Sequence, residues 1–99
     1  VIVDKTLKGF IGAYLNVEVA SEGLEGTRDL LKTFNADAVE SLKKNFAELL
    51  ATRELTALDY GSMTYAEFES DEDLYTYLQA VYEYLFNDAE NEPGPPPYE

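Results

Sequence analysis

Apolar positions along the chain recur mostly at helical spacing. Val3, Leu7, Phe10, Ile11 and Tyr14, with Leu15 beside them, share one face of a helix that ends near Leu15 or Asn16. The β-branched opening Val1-Ile2-Val3 also suits a strand, but the period that follows favours helix. Gly9 and Gly12 each lower the helix propensity by roughly 1 kcal/mol relative to Ala, which suggests that another backbone approaches there. Ser21 is placed to N-cap a second helix carrying Leu24, Leu30, Leu31 and Phe34, with Gly23 and Gly26 disturbing its first turn. Asn35 caps a third, in which Val39, Leu42, Phe46, Leu49 and Leu50 recur at helical spacing. The Glu40 to Lys44 spacing there predicts an i,i+4 ion pair worth about 0.3 kcal/mol.

From Thr52 to Glu69 the period breaks and Gly61-Ser62 reads as a turn, so this stretch is expected to be connecting structure with short helical turns. Ser70 followed by Asp73 resembles a capping box, and Asp71, Glu72 and Asp73 fall in a first turn, where the helix dipole favours negative charge. The fourth helix that follows carries one stripe of Leu74, Leu78, Val81 and Leu85 and a second of Tyr75, Tyr82 and Phe86. Tyr77 and Tyr84 flank them, leaving little of its circumference polar before it stops at Asn87. All four prolines and four acids lie beyond that point. The fold class this predicts is all-α: a small bundle of about four helices forming a single helical domain over residues 1–87, with a flexible, acidic, Pro-rich tail over 88–99.

Charge changes the picture most. Seven Lys and Arg face twenty Asp and Glu, a formal charge of −13, while 45% apolar residues supply material for a core. Residues 1–53 hold all seven bases and eight acids, a balance of −1; residues 54–99 hold twelve acids and no base, a balance of −12. A solubilising surface normally mixes signs. A single-sign region repels itself and is best tolerated where a cationic partner neutralises it. The same charge opposes direct binding of nucleic acid or of an anionic membrane surface. No apolar run approaches the roughly 18 to 20 residues that span a bilayer, none reads as a signal peptide, and no Cys is present for disulfides, so a cytoplasmic location is expected.

The chain has no Cys, His or Trp, which removes thiolate and imidazole chemistry and the usual zinc sites. Its carboxylates match neither an EF-hand loop nor any other standard metal loop, and no Gly-rich phosphate loop appears. No catalytic residue, cofactor or metal is therefore expected. The candidate site is instead a partner-binding cluster: Asp59, Tyr60, Tyr65, Glu67, Phe68, Glu69, Asp71, Glu72, Asp73, Tyr75 and Tyr82. Six of the eight tyrosines fall between Asp59 and Tyr84. Tyrosine gives rigid contact area at low entropy cost, and carboxylates pair with Arg and Lys across an interface. Tyrosines are also frequent core residues, and acids also cap helices; the cluster as a whole nevertheless reads as an interface. Separately, Pro95-Pro96-Pro97-Tyr98 matches the PPxY pattern that WW domains read, a minor partner possibility.

The size and charge, the segment Leu7-Lys8-Gly9-Phe10-Ile11-Gly12-Ala13-Tyr14-Leu15 and the later Met63-Thr64-Tyr65-Ala66-Glu67-Phe68 before an aromatic helix resemble bacterial immunity proteins of contact-dependent growth-inhibition and related polymorphic toxin systems. The resemblance implies a small cytoplasmic protein that binds the cognate toxin domain 1:1, often a basic nuclease, and blocks it without catalysis. Two other classes remain open. One is an acidic nucleic-acid mimic that decoys basic proteins. The other is an adaptor or structural subunit held by the apolar face of the fourth helix.

Overall fold

A computed structural model of the chain describes residues 5–94 and 96. Among these residues all regular structure is helical, in six helices rather than about four. They are α1 (Lys5–Tyr14), α2 (Val17–Ala20), α3 (Glu25–Leu31), α4 (Ala36–Thr52), α5 (Ala57–Thr64) and α6 (Asp71–Phe86). Val1, Ile2 and Val3, and Pro95, Pro97 and Tyr98 of the PPxY pattern, lie outside the described residues.

The long helices follow the apolar period. α4 starts where Asn35 accepts a bond from the Asp37 N–H (2.7 Å), and α6 starts where the Ser70 hydroxyl accepts from the Asp73 N–H (3.1 Å). α4 packs against α6, α1 against α4 and α5, and α3 against α6. Their shared core holds Leu7, Phe10 and Ile11 of α1, Leu42, Phe46 and Leu49 of α4, and Leu74, Leu78, Val81 and Leu85 of α6.

The differences arise in the short segments. Ser21 does not open the second helix; it closes α2, whose cap is Asn16. The Asn16 side chain accepts from the Val19 N–H (3.1 Å) and donates to the Gly12 and Ala13 carbonyls (3.0 and 3.2 Å), ending α1 and starting α2 at one residue. α3 begins only at Glu25, after Gly23 has turned the backbone at φ +107, a left-handed value that glycine alone takes cheaply. No backbone approaches Gly9, where a Cβ would meet nothing within 4 Å. The Met63 backbone carbonyl of α5 does approach Gly12, but at 4.0 Å from a Cβ, an ordinary contact that does not require glycine. The Glu40–Lys44 pair does not form; among the described residues the ion pair present is Asp29–Lys32 (3.6 Å), on the exposed face of α3.

The stretch after Thr52 contains a full helix, α5, with Gly61 and Ser62 inside it rather than at a turn. Its N-cap is Thr56, whose hydroxyl accepts from the Asp59 N–H (3.1 Å). Two side chains one turn apart on α6 hold the approach to it. The Tyr75 hydroxyl, buried, donates to the Leu55 carbonyl (2.7 Å) and accepts from the Leu55 N–H (3.0 Å), and Asp71 accepts from the Ala57 N–H (2.7 Å).

Beyond α6, Ala89 and Glu92 bond to the start of α3. The Arg28 guanidinium lies 4.7 Å from the Tyr84 ring centroid and donates to the Ala89 carbonyl (3.5 Å), while the Glu92 carboxylate accepts from the Leu24 N–H.

Tyr75→Phe is expected to destabilise the protein by about 1–3 kcal/mol, because it leaves the Leu55 N–H and C=O buried without a partner. Tyr60→Phe should leave stability unchanged or raise it, since the buried Tyr60 hydroxyl has no hydrogen-bond partner among the described residues. Urea unfolding followed by circular dichroism measures both, and equal losses would contradict this assignment of the two hydroxyls.

Candidate functional site: an acidic groove beside α5

The fold places a groove of about 660 Å³, open to solvent, between one face of α5 and the segment that leads into α6. α5 contributes Ala57, Leu58, Gly61 and Ser62, and the rest comes from residues 65–71. Leu58 and Tyr65 are 81% and 77% exposed, the exposed large hydrophobic side chains among the described residues, and both line this groove.

Its shape depends on how α5 ends. Tyr65 adopts a left-handed backbone (φ 66) and its N–H bonds to the Gly61 carbonyl (2.8 Å). That conformation is uncommon for a bulky residue and costs about 1–2 kcal/mol. The chain then folds back so tightly that a Cβ on Gly61 would lie 2.9 Å from the Ala66 carbonyl oxygen, which explains a glycine inside α5. Inside the turn, the Thr64 hydroxyl donates to the Tyr60 carbonyl (2.8 Å) and accepts from the Ala66 N–H (3.3 Å). Phe68 lines the groove and is backed by two rings, Tyr60 at 5.8 Å edge-on and Tyr77 at 5.2 Å tilted.

Of the residues singled out from the sequence, Tyr65, Glu67, Phe68, Glu69 and Asp71 come together in the groove lining. Asp59, Glu72 and Asp73 are exposed on the adjoining first turns of α5 and α6. Tyr60 and Tyr75, 0% and 2% exposed, are core side chains and present no surface to a partner. Tyr82 lies eleven residues beyond Asp71, ~16 Å along α6, and packs on Phe46 and Phe86 instead. Sequence reasoning missed Leu58 and Ser62, because the eighteen-residue stretch from Thr52 to Glu69, without a strong period, hid α5. The signal was there in Thr56 as a cap and in Leu58, Ser62 and Tyr65 at i, i+4 and i+7.

Some of the acids have a local explanation. Asp59 and Asp73 occupy the first turns of α5 and α6, where the helix dipole favours them, and Asp71 is bonded to Ala57. Glu67 and Glu69 lie outside any helix, exposed, and make no hydrogen bond or ion pair among the described residues. No cation follows Arg53 in the chain, and the Arg53 guanidinium sits 5.3 Å from the Tyr75 ring centroid. Asp71, Glu72 and Asp73 project about 100° apart around their helix, and among the described residues no group of three carboxylates is arranged to hold a metal. No described helix is long and apolar enough to cross a membrane. Comparisons with protein-family models, curated proteins and solved structures found no match.

Burial raises the tyrosines behind the groove. The Tyr77 hydroxyl is pushed up to about 12, by burial first and by the Glu92 carboxylate second, and Tyr60 is pushed well above its ordinary value of 10, by burial and then by Tyr77. In Tyr75 burial also raises the value and outweighs the bond to Leu55. An unfolded tyrosine ionises near 10, so between pH 10 and about 12 the unfolded chain has lost protons that the folded chain keeps, and rising pH favours unfolding. Below pH 10 this contribution is fully retained. Helicity is therefore expected to fall together with the appearance of tyrosinate absorbance across that window. Complete tyrosine ionisation near 10 with the helices intact would contradict the burial of these rings. At neutral pH, the self-repulsion of the acidic half predicts a melting temperature that rises from low salt to roughly 0.5 M salt, where the Debye length is only a few Å. A flat calorimetric response would mean that the acids do not repel one another appreciably.

Proposed function

We propose that this chain is an immunity-type inhibitor, which binds a cognate basic toxin domain 1:1 in the cytoplasm and occludes its active site or substrate groove. The observation that carries the reading is the α5 groove: two exposed apolar side chains, Leu58 and Tyr65, ringed by carboxylates in a half of the chain with no Lys or Arg. A nuclease is the natural target, since an enzyme that attracts phosphate backbones carries a cationic cleft. Carboxylates would steer association and pair with the Lys and Arg of that cleft, while the apolar groove would supply contact that salt does not screen. The inhibitor itself performs no chemistry in this reading.

The other classes have less support. A nucleic-acid mimic needs carboxylates and has no use for exposed Leu58 and Tyr65. An adaptor held by the fourth helix of the sequence reading needs an apolar face, but α6 buries Leu74, Tyr75, Leu78, Val81, Tyr84 and Leu85, and Tyr77, Tyr82 and Phe86 pack against the same core.

The test is capture from a lysate of the source organism at about 0.15 M and about 0.5 M salt. One basic protein retained at both concentrations, and losing its own activity when the purified inhibitor is added, is the expected result. Many basic proteins at low salt and none at high salt would favour the mimic.

A further inference from the structure

We propose that the α5 groove anchors one apolar side chain, carried on a Lys- and Arg-rich segment of the partner protein. This rests on the reading of the chain as a binder of a basic domain and specifies what that domain must bring.

Three observations lead to this occupant. First, Leu58 and Tyr65 are the exposed large hydrophobics among the described residues, and they face one groove rather than being scattered over the surface. Tyr65 is held there by a left-handed backbone that glycine would adopt without strain, so the aromatic ring serves no purpose in ending α5. Second, Phe68 is fixed from behind by Tyr60 and Tyr77, so that part of the apolar lining is in place before a ligand arrives and needs little ordering on binding. Third, the acids at the groove lack cations: Glu67 and Glu69 have no partner among the described residues, and residues 54–99 contain no base.

These features select among occupants. A small apolar molecule would be poorly enclosed by an open groove, whereas a partner segment covers it by spanning the rim. A second copy of the chain would bring another −13 of charge against the same acids. The acidic residues beyond α6 would meet the same repulsion, and Glu92 is bonded to Leu24, against α3. A basic segment with an apolar centre answers both the charge and the lining, with the apolar residue acting as the buried anchor and the Lys and Arg residues forming the rim.

The test uses the whole chain and two labelled synthetic peptides, one Lys-rich with a central Phe and one identical except for Ser at that position, followed by fluorescence anisotropy at about 0.15 M salt. The Phe peptide is expected to bind roughly tenfold more tightly. Leu58→Ser and Tyr65→Gly should each remove most of that advantage, with Tyr65→Gly at least as heat-stable as the parent. Glu67→Lys combined with Glu69→Lys should weaken both peptides. Equal binding of the two peptides, an advantage that survives both groove substitutions, or no binding of either peptide would overturn the groove assignment. A parent dimer in sedimentation that Leu58→Ser disperses would overturn it as well, by naming a second copy as the occupant. A basic partner captured equally by the parent, Leu58→Ser and Tyr65→Gly would sink the groove inference and leave the inhibitor reading standing. Tight Phe-peptide binding with no basic partner captured by the parent would do the reverse.

Discussion

The Tyr75 hydroxyl, bonded to both the N–H and the C=O of Leu55, is the constraint on which the rest of the site depends. It sits at a point where the chain has left α4 through a left-handed Arg53 and has no periodic structure to satisfy its backbone. One buried side chain satisfies both polar groups of a buried residue that would otherwise be left without a partner. One turn earlier on the same helix, Asp71 takes the Ala57 N–H, so α6 fixes both the approach to α5 and its first turn. The orientation of α5 follows from these bonds, and with it the face that carries Leu58, Ser62 and Tyr65 outward and Tyr60 inward.

Charge acts on a different scale. The acids of the first turns of α5 and α6 are locally stabilised by helix dipoles and capping bonds, so they do not by themselves require a partner. Glu67 and Glu69 have no such compensation, and they stand between those two first turns. The result is a patch in which capped and uncapped carboxylates converge, with the nearest cation in sequence held over the Tyr75 ring. Such a patch would accelerate encounter with a basic surface, while the discrimination between basic surfaces would come from the apolar groove it encloses.

The groove also shows a conflict between folding and surface presentation. At the end of α5 a glycine and a bulky residue occupy positions where local preference would exchange them. Gly61 lies within a helix because the Ala66 carbonyl leaves no room for a Cβ, and Tyr65 takes the left-handed position that glycine commonly fills. The tight turn seats Ala66 in the core while it leaves Tyr65 exposed.

Much of the architecture was legible in the chain itself. α4 and α6 carry their apolar period over several turns and announce their starts with Asn35 and Ser70, and the division of charge at Arg53 is a property of composition alone. The short elements were not legible. α2 has four residues and α5 has eight, too few to repay helix nucleation by propensity, so they exist because Asn16, Thr56 and Asp71 satisfy their first turns and the core accepts one face. The sequence by itself therefore determined an acidic, all-helical chain with its carboxylates and tyrosines concentrated beyond α4. Only the tertiary structure decided that Tyr60 supports the core while Tyr65 stands at the surface, because the phase of a short helix is set by the contacts that hold it rather than by its own residues.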